Sequence, residues 1–328
     1  MPHLRAGRLS WRALAALLLF LSTAGGAAAE PLRIRYSVWV GYGPLFLAKE
    51  KGYFKAENVD VQLVRMEDPK ESYGAMGAGR LDGVVSTIDT LIPHLGTGAE
   101  FQYVLALDDS AGGDGIIARK EIKSVRDLRG KRVAVQAGSV AQFFLSVLLR
   151  DAGLTEKDVQ VVNMKPGDAG AAFVAGQVDA AVTWEPWLSS GKNAPHGHLL
   201  VDSSKTPGLI TDVLVFRREV IEKRAREIQG VVDAWHKAVA YWEKNPAESN
   251  LIMARAVGEW LQDPRLFADV LTGVKFYDRA ANARFFGTPR SPGPLYRVIQ
   301  NAMDIAAASG QLRGTFTPRD LVNHSFVK

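Results

Sequence analysis

The chain has no cysteine, which excludes disulfides, thiolate metal ligands, a cysteine nucleophile and the residue that would carry an N-terminal lipid anchor. Histidine is sparse, with six residues in all. Its one close pair, His196 and His198, lies in a Pro- and Gly-containing stretch with no obvious third ligand, so no metal is expected. Long apolar runs are missing as well. The single strongly apolar stretch, Ala13 to Leu21, has nine residues, where a membrane-spanning helix needs about 20. Arg5, Arg8 and Arg12 precede it and Ala27-Ala28-Ala29 follow it, the pattern of a secretory signal peptide over residues 1–29 with cleavage before Glu30.

Neither sign of charge is in surplus. Forty Lys and Arg face 35 Asp and Glu, but three of those arginines lie in residues 1–29, which hold no acid. The remainder has 37 basic and 35 acidic residues, a net of +2, and no nucleic-acid partner is expected. The glycine-rich stretches Gly74 to Gly79 and Gly112 to Gly115 lack the Lys and hydroxyl that complete a phosphate loop. No Gly-x-Ser-x-Gly turn is present to present a serine nucleophile.

What is present is a repeat. Arg35-Tyr-Ser-Val-Trp-Val-Gly41 aligns with Arg132-Val-Ala-Val-Gln-Ala-Gly138 at an offset of 97 residues. Asp60-Val-Gln-Leu-Val-Arg-Met66 aligns with Asp158-Val-Gln-Val-Val-Asn-Met164 at 98, and Ala78 to Ser86 with Ala175 to Thr183 at 97. Three collinear matches at nearly constant spacing read as two copies of a strand-helix-strand-helix-strand unit, the grammar of an α/β fold with mainly parallel sheets flanked by helices. Strand patterns at Tyr103 to Ser110, Ile116 to Ala118 and Thr211 to Phe216 lie where the chain would pass between the two lobes. The glycines of Ala111 to Gly115 would allow those passages to bend. The expected division is lobe 1 from residues 30–115 and 213–328, with lobe 2 from 116–212. Apolar residues from Ile221 to Trp242 recur at helical spacing up to Asn245-Pro246, and a further helix is predicted over Pro294 to Ala308. These C-terminal helices are expected to pack on lobe 1, with Trp235 and Trp242 in its core.

Ligands of open parallel sheets bind beyond the carboxyl ends of the strands. Four loops therefore become the candidate site: Trp39 to Pro44, Gln136 to Val140, Ser86 to Asp89 and Thr183 to Trp187. Trp39, Gly41 and Tyr42 precede one helix start and Gly138 and Ser139 another, and free backbone amides there attract an anion. Ser86, Thr87 and Asp89 are good helix caps that also suit ligand contact. Glu185 between Trp184 and Trp187 suits a positively charged nitrogen, through charge and cation–π attraction. Asp109 and Asp212, with Asp108 and Asp114, add acid near the crossings, some of it expected to serve the hinge. The combination points to a zwitterion or a small cationic or amide-like nitrogen compound, with no cofactor.

The stretches Val38-Trp-Val-Gly-Tyr-Gly-Pro-Leu-Phe-Leu-Ala-Lys-Glu-Lys-Gly-Tyr-Phe54, Ala78 to Asp82, Ile122 to Val133 and Thr183-Trp-Glu-Pro-Trp187 together resemble the nitrate, sulfonate and taurine type of periplasmic binding protein. That resemblance implies a type II two-lobed clamp in the periplasm that captures a small molecule for the permease and ATPase of an ABC importer. It implies a monomeric binder and no enzyme. Two alternatives stand beside it: a secreted enzyme on the same scaffold with Glu185 or a cleft aspartate as general base, and a sensor that presents its ligand to a receptor.

Overall fold

The computed structural model describes residues 30–98, 100–258 and 261–328; the stretch read as a signal peptide lies outside them. Eleven strands form two sheets among the described residues. They are β1 (Leu32–Tyr36), β2 (Val61–Arg65), β3 (Gly83–Thr87), β4 (Phe101–Ser110), β5 (Asp114–Arg119), β6 (Arg132–Val135), β7 (Gln160–Asn163), β8 (Ala180–Trp184), β9 (Gly197–Asp202), β10 (Thr211–Arg217) and β11 (Val274–Phe276). The first sheet has the order β11-β4-β10-β3-β1-β2 and the second β7-β6-β8-β5-β9.

Helices join and cover the strands: α1 (Gly43–Glu50), α2 (Tyr53–Ala56), α3 (Pro69–Gly77), α4 (Ile88–Leu91), α5 (Val140–Asp151), α6 (Pro166–Val174), α7 (Trp187–Lys192), α8 (Arg218–Lys244), α9 (Pro246–Val257), α10 (Pro264–Leu271), α11 (Arg279–Phe286), α12 (Pro294–Ala308) and α13 (Pro318–Leu321).

Each lobe is built on the repeated unit. β1 lies between β2 and β3, and β6 between β7 and β8, all in parallel pairing. An antiparallel strand then extends each trio, β10 beside β3 and β5 beside β8. Parallel pairing is therefore confined to the repeated unit, and the strands that bring the chain across run the other way. The passage from β4 to β5 is Ala111 to Gly113, and the return from β9 to β10 is Ser203 to Ile210. The division expected at residues 115 and 212 falls just inside β5 and β10, because each crossing segment is taken up at once into the next strand.

The structure also corrects the alignment of the first strands. Met66 N–H donates to the Tyr36 carbonyl (3.0 Å) and Met164 N–H to the Val135 carbonyl (3.1 Å). Arg33 N–H and Arg132 N–H donate to the carboxylates of Asp82 (2.8 Å) and Asp179 (2.9 Å). Arg33 is thus the counterpart of Arg132, two residues from the expected match. Side chains alternate along a strand, so a two-residue slip leaves every residue on its own face and the pattern intact. The two residues are taken up in the loop before the helix, which is longer before α1 than before α5 and coils into a turn at Val40–Tyr42.

Leu32, Ile34, Val85, Leu105, Leu214 and Phe216 of the first sheet pack against Ile228, Val231, Val232, Trp235 and Val239, the stripe that α8 presents every three or four residues. Each fully buried apolar side chain of this kind contributes about 1.5–3 kcal/mol. Trp235 is completely buried and its Nε1 donates to the Tyr277 carbonyl (3.1 Å). The C-terminal helices thereby fix the back of lobe 1 and leave the strand ends at the front to the site.

Candidate functional site

The strand-end loops of the two lobes line one cleft of about 1500 Å3. Lobe 1 contributes Trp39, Tyr42, Ser86 and Thr87, lobe 2 contributes Gly138, Ser139 and Trp184, and Asp212 comes from the start of β10. These eight residues, all singled out in the sequence, are brought together there.

The longer loop after β1 explains the lobe 1 wall. Trp39 is extended and donates from Nε1 to Asp108 Oδ1 (3.1 Å), while the turn that follows carries Tyr42 to Asp212, whose Oδ1 accepts from the phenol. Gly41 does not reach the cleft surface. It lies against Asp108 so closely that an added Cβ would stand 2.2 Å from Asp108 Oδ2, so its role is to let the loop fold over a buried carboxylate.

The lobe 2 counterpart is open. Gly138 adopts a left-handed conformation with φ 69°, a backbone state that favours glycine. Its N–H is already taken by Gln142 Oε1 (2.7 Å), and the Ser139 hydroxyl by the Gln136 carbonyl (2.8 Å). At the lobe 1 helix start the first residue of α1 packs against Met253 behind the loop, whereas Ser139 and Val140 at the start of α5 line the cleft.

Three acids named from the sequence are placed elsewhere. Glu185 turns along its own helix, accepting from Ser189 N–H (3.0 Å) and the Ser189 hydroxyl (2.8 Å), because a carboxylate just before a helix finds orphan donors nearer than any ligand. Asp109 accepts from Gly208 N–H (3.0 Å) and so ties the end of β4 to the returning crossing. Adjacent residues on a strand face opposite ways, which is why Asp108 points under the cleft while Asp109 points to the hinge. Asp89 lies on α4 beneath the cleft lining, buried, with Thr90 Oγ1 donating to Oδ2 (3.4 Å) and no partner on Oδ1. His196 and His198, set aside as ligands, donate from Nε2 to the carbonyls of Phe173 (3.0 Å) and Ile122 (2.7 Å).

Several lining residues had no distinctive sequence signal. Arg35 is buried at 2% exposure, with Nε donating to the Met66 carbonyl (2.7 Å) and Nη1 to the Val85 carbonyl (3.1 Å). Its alternation with Ile34 reads as an ordinary exposed strand position. Tyr73 donates to Ser86 Oγ (3.2 Å) from α3. Asp114, by contrast, is among the acids read near the crossings, and it lines the cleft from the first position of β5. Asp114 also joins the two crossings, since its Oδ2 accepts from Ser110 Oγ (2.7 Å), which is paired in turn with Ser203 Oγ (2.8 Å).

The electrostatic character follows. Asp89, Asp108, Asp114 and Asp212 surround the floor, and Arg35 is the one buried cation among the described lining residues. Burial raises all four carboxyls: Asp89 to about 6, Asp114 and Asp212 to about 7, and Asp108 well above the ordinary range, the last pushed further by the Asp212 charge. Lys70, Lys165 and Arg313 stand on the outer lining.

Residues 39–249, well over half of the chain, match the family described as NMT1/THI5 like. The chain belongs to the NMT1/THI5-like family. Within and around it, the chain is 29% identical over 251 residues to a putative aliphatic sulfonates-binding protein of Escherichia coli, covering 75% of this chain and 78% of that one. It is 27% identical over 254 residues to a putative binding protein of Brucella abortus, covering 76% and 78%. Among solved structures, the periplasmic aliphatic sulphonate binding protein of Escherichia coli superposes with a TM-score of 0.74 at 23% identity, over 90% of this chain and 92% of that one. At that identity the likeness concerns the fold: this NMT1/THI5-like chain shares the two-lobed fold of that binding protein.

Proposed function

We propose that the chain is the solute-binding component of an ABC importer. After export to the periplasm it captures a small organic nitrogen or sulfur compound by closing two lobes, and it passes the compound, chemically unchanged, to a permease and its ATPase. A monomer suffices for this, because both walls of the cleft come from one chain. The observation that carries the reading is the cleft itself, of about 1500 Å3, walled by equivalent strand-end loops of two lobes that the chain joins through Ala111 to Gly113 and Ser203 to Ile210. That arrangement suits hinged closure around a ligand. The binding proteins among the relatives support the same class.

A thermal-shift screen of sulfonates, taurine, nitrate, amines, guanidinium compounds and pyrimidines tests it, since a ligand of the native state raises the melting temperature. Each hit should also shrink the particle in small-angle scattering. A tight ligand that leaves the scattering profile unchanged would count against closure.

A second reading, an enzyme on this scaffold, is favoured by one observation: Asp114 and Asp212 are pushed up to about 7, the range that suits a general base. With Glu185 held by Ser189, that role would fall to the aspartates. Mass spectrometry of the recovered ligand decides between the two, because a binder returns it intact.

A further inference from the structure

The two cleft aspartates are counterparts. Asp212 of β10 pairs with Thr87, the last residue of β3, and Asp114 of β5 pairs with Trp184, the last residue of β8. Thr87 and Trp184 stand in the same relation as Asp82 and Asp179, the matched acids of the third strands. The repeated unit, extended in each lobe by an antiparallel strand, thus delivers a carboxylate to the same place twice.

Both aspartates are nearly buried, at 3% and 5% exposure, yet both line the cleft. In each, one oxygen is committed: Asp212 Oδ1 accepts from Tyr42 and Asp114 Oδ2 from Ser110. The other oxygen of each has no hydrogen bond among the described residues. An almost buried, half-satisfied carboxylate is costly unless something supplies the missing donors. Trp39, Tyr42, Tyr73 and Trp184 line the same cleft as the pair. Arg35, the buried cation of the lining, donates from Nε to the Met66 carbonyl and from Nη1 to the Val85 carbonyl and makes no hydrogen bond to either acid.

We propose that Asp114 and Asp212 form a two-carboxylate clamp, one jaw from each lobe, for the N–H edges of a small planar organic cation of the guanidinium or amidinium class. Such a cation offers donors along its edges to two carboxylates and a flat face to the aromatic rings. A sulfonate or nitrate would need donors instead, and the Gly138 amide in the lobe 2 loop is taken by Gln142. The clamp rests on the reading of the cleft as the solute site, and it names the solute's chemistry.

Titration calorimetry of the protein with guanidinium, methylguanidinium and acetamidinium chlorides at millimolar concentration or below tests it, with urea as the neutral isostere and taurine, methanesulfonate and nitrate as anionic competitors. The cations should bind and urea should not. Asp114→Asn and Asp212→Asn should each weaken binding roughly tenfold or more, the loss of a charge-assisted hydrogen bond. Misfolding is kept apart from loss of contact by melting the free variants at pH 8, where each Asn variant should be at least as stable as the parent because a buried charge has gone. The clamp is overturned if none of the three cations binds, or if both Asn variants bind them as the parent does. Binding of an anion that the Asn variants leave unaltered removes the clamp and keeps the cleft as the solute site. The cleft itself is lost as the site if a ligand's affinity is unmoved by Trp184→Ala and Ser139→Trp.

Discussion

Gly41 and Gly138 precede helix starts in the two lobes and look interchangeable in the sequence, yet replacing each by alanine should have different consequences. Gly41 has no left-handed backbone to protect. Its constraint is space: a Cβ would lie 2.2 Å from Asp108 Oδ2, 2.4 Å from Asp108 Cγ and 2.4 Å from Trp39 Nε1. None of these atoms is the free end of a flexible chain, since Asp108 is fully buried and Trp39 is hydrogen-bonded to it. The loop must lift, which costs about 1–3 kcal/mol for overpacking and about 1 kcal/mol more for the lost Trp39–Asp108 hydrogen bond. At roughly 2–4 °C per kcal/mol for a protein of this order of size, Gly41→Ala should melt about 5–15 °C lower, with a matching fall in urea midpoint. Gly138→Ala meets nothing within 4 Å and is opposed by its φ of 69° alone, a penalty of about 1 kcal/mol. Ligand affinity should follow the same order, because lifting the loop moves Trp39 and Tyr42 off the cleft wall. A Gly41→Ala protein within about 0.5 kcal/mol of the parent, the ordinary scatter of surface changes, would refute the packing argument. So would a larger loss from Gly138→Ala.

Three further outcomes follow from the same site. Asp89, Asp114 and Asp212 have folded-state values raised to about 6, 7 and 7, so the folded protein holds protons that the unfolded chain releases. Their contribution is fully present below the ordinary carboxylate value and is lost as pH rises through 6 and 7, with Arg35, Asp108 and Tyr42 modulating it. For Asp89 alone the difference is about 3 kcal/mol. The ligand-free protein should melt lower at pH 8 than at pH 5, with a shallower dependence in Asp212→Asn; a flat profile in the parent would contradict the burial. Glu185→Gln should leave the affinity of any cleft ligand within about twofold, since its carboxylate serves Ser189 and a net hydrogen bond is worth only about 1 kcal/mol; a tenfold fall in calorimetry would return Glu185 to the site. Ser203→Ala removes a fully buried hydroxyl that accepts from Gly112 N–H (2.8 Å) and pairs with Ser110. It should cost about 1–3 kcal/mol in urea unfolding, and an unchanged midpoint would deny that the two crossings are tied there.

Much of the architecture was legible because repetition and periodicity survive in one dimension. The α8 stripe ending at Asn245-Pro246 and the α12 span from Pro294 to Ala308 are both as the spacing predicts. Register is harder to see. A strand tolerates a slip of two residues without changing its pattern, and so the extra turn that carries Gly41 and Tyr42 was hidden. The loops of the site were found by topology, which is why Trp39, Tyr42, Ser86 and Trp184 line the cleft. The ranking of its charges was not, because a carboxylate's direction depends on which donor lies nearest. Glu185 looked exposed to ligand and is held by Ser189, whereas Asp114, one acid among several near a crossing, is a cleft wall. Arg35 gave no sign at all, since a strand arginine buried beneath a site and one on the surface share the same alternation.

The place of β10 bears on how the polypeptide reaches this shape. β10 sits between β3 and β4 in the middle of the first sheet, although all of β5 to β9 is synthesised before it. The second sheet is contiguous in the chain and can condense from local pieces, while the first must wait with two strand edges open until residues 211–217 arrive. Pairings of such long range are slow to form. The half of the molecule that holds Trp39 and Tyr42 is therefore the last to become compact. The delay keeps the chain extensible early, and the exposed edges of β3 and β4 are the price in aggregation risk along the way.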